Sequence, residues 1–191
     1  MEPLCNAING DICLLAIPES TPALLYEHQR QLQVLFCGFI TMPVHLTLQR
    51  FTITTPNSLS LLKQNLLHIL QGILPLQIHA KMIHTQYSEF RQSEIIKWEI
   101  EVTQKMREFS ARLEKILSFS DCVSQYPAGW TSSLVTALEE ISPNGNMTLP
   151  NLTGTPRPLF IAETILVTRI NSYRDYLTLE EYSIRTGKWK S

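Results

Sequence analysis

The sequence lacks the marks of several common classes of protein. Its 191 residues contain no glycine-rich phosphate loop and no Gly-x-Ser-x-Gly nucleophile motif, which removes the usual signatures of P-loop and α/β-hydrolase enzymes. No apolar run reaches the roughly 18 residues that a membrane-spanning helix needs. The first fifteen residues include Glu2 and Asp11 and no basic segment, so we expect no signal peptide and no membrane partner.

Charge and cysteine are both sparse. Only 17% of the residues are charged, and 16 basic side chains against 17 acidic ones give a net charge of −1. Long double-stranded nucleic acid is therefore not an expected partner, whereas a small phosphorylated ligand needs only a few local donors. Cys5, Cys13, Cys37 and Cys122 lack metal-ligand spacing. We therefore expect free thiols, a cytoplasmic location, and neither metal nor cofactor.

The hydrophobic pattern predicts one α+β domain over residues 1–191. Strands and helices mix without strict alternation and hairpin-like pairs occur, which favours mostly antiparallel sheet over a doubly wound parallel sheet. Residues 131–140 fit either a strand or an amphipathic helix. The other predicted strands cover 12–17, 44–51, 76–87, 95–102, 159–170 and 176–184, and the predicted helices begin at Thr21, at Asn57 or Ser58, and near Val102.

The sequence Val44-His45-Leu46-Thr47-Leu48-Gln49 is the most informative segment. In a strand, His45, Thr47 and Gln49 would share one face, because residues two apart point the same way. An imidazole carries a proton near neutral pH, and a hydroxyl donates to a phosphate oxygen. A His-x-Thr motif is nevertheless too short to identify a site by itself.

The elements around this motif resemble those of the two-histidine (2H) phosphoesterases, which include 2′-5′ RNA ligase-like proteins and cyclic phosphodiesterases. The similarity in order spans roughly residues 10–186, including EIIKWEIEV, QKMREFSARLEKIL and the final strands FIAETILV and YLTLEEYSI. The resemblance implies two pseudo-symmetric lobes of mostly antiparallel sheet, backed by helices, around a central cleft. Each lobe would contribute one His-x-Thr. One histidine would act as general base, the other as general acid, and both hydroxyls would hold the phosphate.

The second His-x-Thr motif is degenerate. The best match places Leu134 at the histidine and Thr136 at the threonine, and no histidine follows His84. Leucine transfers no proton, and losing one positioned acid or base typically costs about 10²–10⁴ in rate. His79 and His84 are odd-spaced on one predicted strand, so at most one of them would face the cleft.

The resemblance implies a phosphoester-binding protein in which catalysis is impaired. His45 is the expected catalytic residue, and Thr47, Thr136, Tyr87 and Arg91 are the expected substrate-binding residues, since a guanidinium binds phosphate oxygens. The ligand would be a small phosphorylated molecule or an RNA end, with phosphodiesterase activity on 2′-5′ or cyclic phosphates. The alternative is a non-catalytic ligand-binding or protein-interaction module that keeps only the fold.

Overall fold

Strands dominate the part of the chain that the structure describes. The computed structural model describes residues 11–40, 43–89, 92–142, 157–172 and 175–190. In chain order the elements are β1 (Ile12–Ile17), α1 (Ala23–Phe36), β2 (Phe39–Ile40), β3 (Leu46–Ile53), α2 (Ser58–Ile73), β4 (Leu76–Ser88), β5 (Ser93–Ile100), α3 (Gln104–Phe119), β6 (Cys122–Ser124), β7 (Leu134–Glu139), β8 (Arg157–Ala162), β9 (Thr164–Ser172), β10 (Asp175–Ser183) and β11 (Lys188–Lys190).

The strands form one curled sheet in the order β11-β10-β9-β1-β3-β7-β5-β4-β8. The strand pairs are antiparallel throughout the described residues. The sheet has two lobes, β11-β10-β9-β1-β3 and β7-β5-β4-β8, which join where β3 lies beside β7. The α+β class and the mostly antiparallel sheet that the sequence predicts are confirmed.

The two lobes are built from the same motif. The segments α1-β2-β3 and α3-β6-β7 each contain a long helix, a very short strand and a motif-bearing strand. The short strands are exchanged, since β2 pairs with β7 and β6 pairs with β3. Both helices are followed by a non-glycine residue in the left-handed region, Cys37 and Asp121, each with φ of 52°. The chain is thus pseudo-symmetric about the contact between β3 and β7.

A row of fully buried side chains holds that contact together. Ala16, Leu46, Val135 and Trp98 are neighbours on four adjacent strands, and each is 0% exposed. Helix α1 covers them on one face, where Gln29 Nε2 donates to the Ala137 carbonyl over 3.0 Å. Burial of each large apolar side chain contributes about 1.5–3 kcal/mol. This row therefore fixes the register of β3 against β7.

Several sequence-based element predictions are wrong. The predicted strand 159–170 is two strands that lie in different lobes, because β8 pairs with β4 while β9 pairs with β1. Helix α1 begins at Ala23, after Pro22, rather than at Thr21. Short strands such as β2 and β6 leave too few residues for a periodic signal.

Within the described ranges, no helix is long and apolar enough to span a membrane.

Candidate functional site

His45 lies immediately before β3, and its ring is held by the backbone. Its Nδ1 is 2.8 Å from the Pro43 carbonyl oxygen, and the side chain is half-buried. A carbonyl only accepts, so Nδ1 carries the proton and Nε2 carries the lone pair of the neutral imidazole. This is the tautomer in which Nε2 serves as a proton acceptor.

The second motif lies directly beside the first. Residues 134–139 form a strand, as the strand alternative for this segment predicts, and Leu46 pairs with Val135. Because the strands are antiparallel, one step from this pair puts His45 opposite Thr136 and Thr47 opposite Leu134. Leu46 and Val135 point into the core, so these four side chains lie on the opposite surface of the sheet. We call that surface the motif face.

Sheet geometry relates the two hydroxyls of the motif face. Thr47 and Thr136 are diagonal neighbours, which places their side chains about 7–8 Å apart. Two O–H···O hydrogen bonds of about 2.7 Å each span most of that distance. An oxyanion placed between the two hydroxyls is therefore within reach of both. His45 and Leu134 are the other pair of diagonal neighbours, one on each side of the pair Leu46–Val135.

Gln49 does not lie on the motif face, contrary to the sequence-based expectation. Leu14 pairs with Gln49 and Leu15 pairs with Thr47, so β3 has a bulge at Leu48. The extra residue reverses the alternation of the strand. Gln49 is consequently 5% exposed, and its Oε1 accepts from its neighbour's backbone N–H over 2.9 Å.

The bulge brings Arg50 to the motif face, a residue that the sequence reasoning missed. Arg50 pairs with Cys13, whose neighbours Leu15 and Leu166 form a small apolar cluster on that face. A sequence signal exists: the apolar residues at 44, 46 and 48 alternate strictly, and the next falls at Phe51, three residues on. Such a break in period indicates a bulge.

The Arg50 guanidinium lies against aromatic rings of the β6–β7 connection. Its Nη2 donates to Tyr126 Oη over 3.3 Å, and its Cζ is 5.5 Å from the centre of that ring. The Tyr126 ring also stacks on Trp130, with 3.8 Å between the ring centres. The cation is therefore positioned on the motif face rather than freely rotating.

The buried Cys13 thiol does not supply a reactive group. Burial raises its pKa to about 12, although the Arg50 charge opposes that rise. Only the thiolate is nucleophilic, so Cys13 stays protonated and inert near neutral pH.

Charged side chains occupy the motif face on β5 and β4. Lys97 pairs with Thr136, and His84 pairs with Lys97. In the next row, Glu99 pairs with Leu134, and its Oε1 lies 2.9 Å from Lys81 Nζ. These side chains flank the degenerate motif.

The expectation that His79 and His84 lie on opposite faces is wrong. Ala80 pairs with Ile100 and Met82 with Glu99, so β4 has a bulge at Lys81 that moves both histidines to the same side. The His79 ring faces Glu101, with Nδ1 3.9 Å from the carboxylate.

Tyr87, another expected binding residue, is not brought to the motif face. Tyr87 follows Ile83 by four residues in a regular stretch of β4, so both point to the helix-covered face. The Tyr87 hydroxyl donates to Gln92 Oε1 over 3.3 Å. Arg91 lies outside the described residues. Among those residues, no group of three or more His, Cys, Asp or Glu side chains converges as a metal site.

Solved structures share this fold. No protein-family profile matches the sequence, and no curated protein matches it. The chain is similar to Escherichia coli LigT complexed with 3′-AMP, at 12% identity and a TM-score of 0.58, over 93% of this chain and 99% of that one. A phosphoesterase matches at 12% identity, a TM-score of 0.55 and the same coverage. The PDE domain of MHV ns2 matches at 10% identity and a TM-score of 0.54, over 84% of this chain and 99% of that one. The chain therefore shares the fold of these proteins, which is the fold that the resemblance to 2H phosphoesterases implies.

Proposed function

We propose that the motif face binds the phosphate of a small phosphoester, and that catalysis is impaired because Leu134 stands where a second proton carrier is needed. The observation that carries this proposal is the pairing of Leu46 with Val135, which sets both motif segments side by side. Thr47 and Thr136 each donate a hydrogen bond to one phosphate. The 3′-AMP bound to LigT supports a ligand of this chemistry.

His45 is the proton carrier of the proposed site. With Nδ1 held by the Pro43 carbonyl, Nε2 accepts a proton from water or from a ribose hydroxyl next to the phosphorus. Arg50, positioned by Tyr126, adds a positive charge three residues beyond Thr47 on β3. It favours the dianionic phosphate and the charge that develops during transfer.

Leu134 limits the reaction. In an in-line phosphodiester cleavage one group removes a proton from the nucleophile and another returns a proton to the leaving oxygen. His45 fills one role only, and the leucine side chain opposite Thr47 has no titratable atom. We therefore expect phosphate binding with weak or no turnover of 2′-5′ linkages or cyclic phosphates.

The test combines a binding measurement with a turnover assay. Titration of the full chain with 3′-AMP should give saturable binding that Thr47→Val and Thr136→Val weaken. A panel of 2′-5′ oligoadenylates and 2′,3′-cyclic nucleotides should be cleaved slowly or not at all, and any cleavage should disappear in His45→Ala. Absence of binding to every phosphorylated ligand would overturn the proposal and leave a module that keeps only the fold.

A further inference from the structure

A groove of about 150 Å³ lies between α2 and α3. Ile73 and Phe109 line it, and both also pack beside Leu48, which belongs to the buried core. The groove is therefore on the helix-covered side of the sheet, opposite to the motif face. A ligand bound here would occupy a site separate from the proposed phosphate site.

The inner wall of the groove is apolar, and the space is the size of one aromatic ring. Ile73 and Phe109 are each 4% exposed, and Ile69 is half-buried. An apolar protein cavity of about 150 Å³ accommodates a benzene molecule. An aromatic ring also packs favourably against a phenylalanine such as Phe109, in an offset or edge-on arrangement.

The α3 side of the groove carries an excess of positive charge. Lys105, Glu108 and Arg112 line it, so two cations and one carboxylate give a net charge of +1. Glu108 Oε1 accepts from Gln104 Nε2 over 3.1 Å. Within the described part of the chain, neither cation forms an ion pair or a side-chain hydrogen bond. Both cations are therefore available to an anionic ligand.

The position of Lys105 in α3 strengthens this preference for an anion. Lys105 is the second residue of the helix, and the first turn contains no acidic side chain. The N-terminal end of a helix carries a partial positive charge, which a lysine there opposes and a nearby anion offsets. A ligand carboxylate beside Lys105 would thus be attracted both by the ammonium group and by the helix end.

Gly72 keeps the α2 side of the groove open. Its φ is not in the left-handed region, and a Cβ at this position would meet nothing within 4 Å. Neither backbone conformation nor close packing therefore requires glycine here, although alanine is the more stable residue in a helix. A larger side chain at this position would enter the groove, so its absence leaves room for a ligand.

We propose that this groove binds a small aromatic carboxylate, with its ring against Ile73 and Phe109 and its carboxylate at Lys105 and Arg112. Burial of the ring against the apolar wall contributes affinity. The cations select an anion over a neutral or a positive head group, and the guanidinium pairs with both carboxylate oxygens.

The test uses three ligands of one shape that differ in charge: benzoate, benzamide and benzamidine. Each is titrated into the isotope-labelled full chain, and the shifts of the amide NMR signals report both affinity and location. Benzoate should bind about three- to tenfold more tightly than benzamide at low salt, and benzamidine more weakly than benzamide. The shifts should be centred on residues 69–73 of α2 and 104–112 of α3.

Charge variants test the role of the two cations. Lys105→Gln/Arg112→Gln should reduce the affinity for benzoate to that for benzamide, which itself stays unchanged. Arg107→Gln/Lys115→Gln removes the same charge from exposed positions of α3 that do not line the groove, and should preserve the preference for benzoate. Glu108→Gln should tighten benzoate binding, because it removes the carboxylate between the two cations.

A steric variant tests the space without changing the charge. Gly72→Leu fills the α2 side of the groove and should abolish the shifts at α2 and α3 for all three ligands. The rest of the NMR spectrum should stay as in the parent chain, because a Cβ at this position meets no neighbour.

The outcomes are decisive for this groove alone. The proposal is overturned if benzoate does not bind, if the three ligands bind equally, or if the shifts centre on the motif face. It is also overturned if benzoate binding survives both Lys105→Gln/Arg112→Gln and Gly72→Leu. Affinity for 3′-AMP, measured in the same variants, should not change, so failure of this site and failure of the proposed phosphate site are distinguished.

Discussion

The two halves of the molecule use one architecture to present different chemistry. In the first half, α1-β2-β3 presents His45 and Thr47, and in the second, α3-β6-β7 presents Leu134 and Thr136. The short strands are exchanged between the halves, and the register of β3 on β7 comes from buried residues on the other side of the sheet. Fold and chemistry are therefore encoded on opposite faces of the same strands, so a histidine can be absent without loss of the fold.

Placing an imidazole at position 134 is the strongest test of that comparison. Leu134→His should raise turnover of a 2′-5′ or cyclic phosphate substrate by about 10²–10⁴, because it supplies the second proton carrier. Leu134 is half-buried and lies on the motif face, so an imidazole of similar size fits there without entering the core. Steady-state assays of the parent, Leu134→His and Leu134→His/His45→Ala chains give the measurement.

A polar control separates proton transfer from mere polarity. Leu134→Asn places hydrogen-bonding atoms at the same position but does not titrate, and it should leave turnover at the parent level. If Leu134→His stays inactive although it folds and binds 3′-AMP, the two halves are not equivalent in position, and the pseudo-symmetric assignment of the motif fails.

The hydroxyls test whether the two halves contribute equally to binding. Thr47→Val and Thr136→Val should each weaken 3′-AMP binding about tenfold or more, since a hydrogen bond to a charged group is worth roughly 1.5–3 kcal/mol. Valine keeps the branched shape that suits a strand. The measurement is calorimetric titration of both single variants and the double variant. A large loss in one half only would show that a single lobe holds the phosphate.

The sequence reveals the His-x-Thr motif but not which side chains share its face, because β3 and β4 contain bulges. The alternation of Leu46 and Leu48 correctly places His45 and Thr47 away from the core. Because of the bulge at Leu48, however, Arg50 rather than Gln49 lies on the motif face. A second bulge at Lys81 affects β4 in the same way. A bulge shifts all later side chains to the other face, so face assignments from spacing fail beyond it.

Long-range pairing was equally hard to predict. The run from 159 to 170 contains no glycine or proline to mark a turn. Only the structure shows that Glu163 separates two strands in different lobes and that its N–H donates to the Ile17 carbonyl. Likewise, Trp189 lies beyond the last predicted strand, which ends at 184, yet its indole N–H donates to the Lys63 carbonyl over 3.2 Å. Periodicity reports which residues are buried, and it does not report the partner strand.

The chain approaches β7 closely just before β2, and glycine substitution tests that approach. A Cβ on Gly38 would lie 2.5 Å from the Glu139 carbonyl oxygen, a backbone atom that cannot move aside. Gly38→Ala should lower the free energy of unfolding by about 1–3 kcal/mol. Gly72→Ala in α2 meets nothing within 4 Å and should raise it by about 0.5–1 kcal/mol. Urea denaturation of both variants checks this, and a neutral Gly38→Ala would mean that β2 is not tightly docked on β7.

The helix ends offer the finest comparison between the halves. Cys37 and Asp121 both adopt φ of 52°, a conformation that costs most side chains about 1–2 kcal/mol but that aspartate tolerates better. Cys37→Gly should therefore stabilise the protein by roughly 1 kcal/mol, and Asp121→Gly by less. The Asp121 carbonyl, which accepts from Thr54 and Ser58, is kept in the glycine variant. Equal increases in the free energy of unfolding, measured by urea denaturation, would show that the strain depends only on the backbone conformation that both turns share. A larger increase for Cys37→Gly would show that the aspartate relieves strain that the cysteine does not.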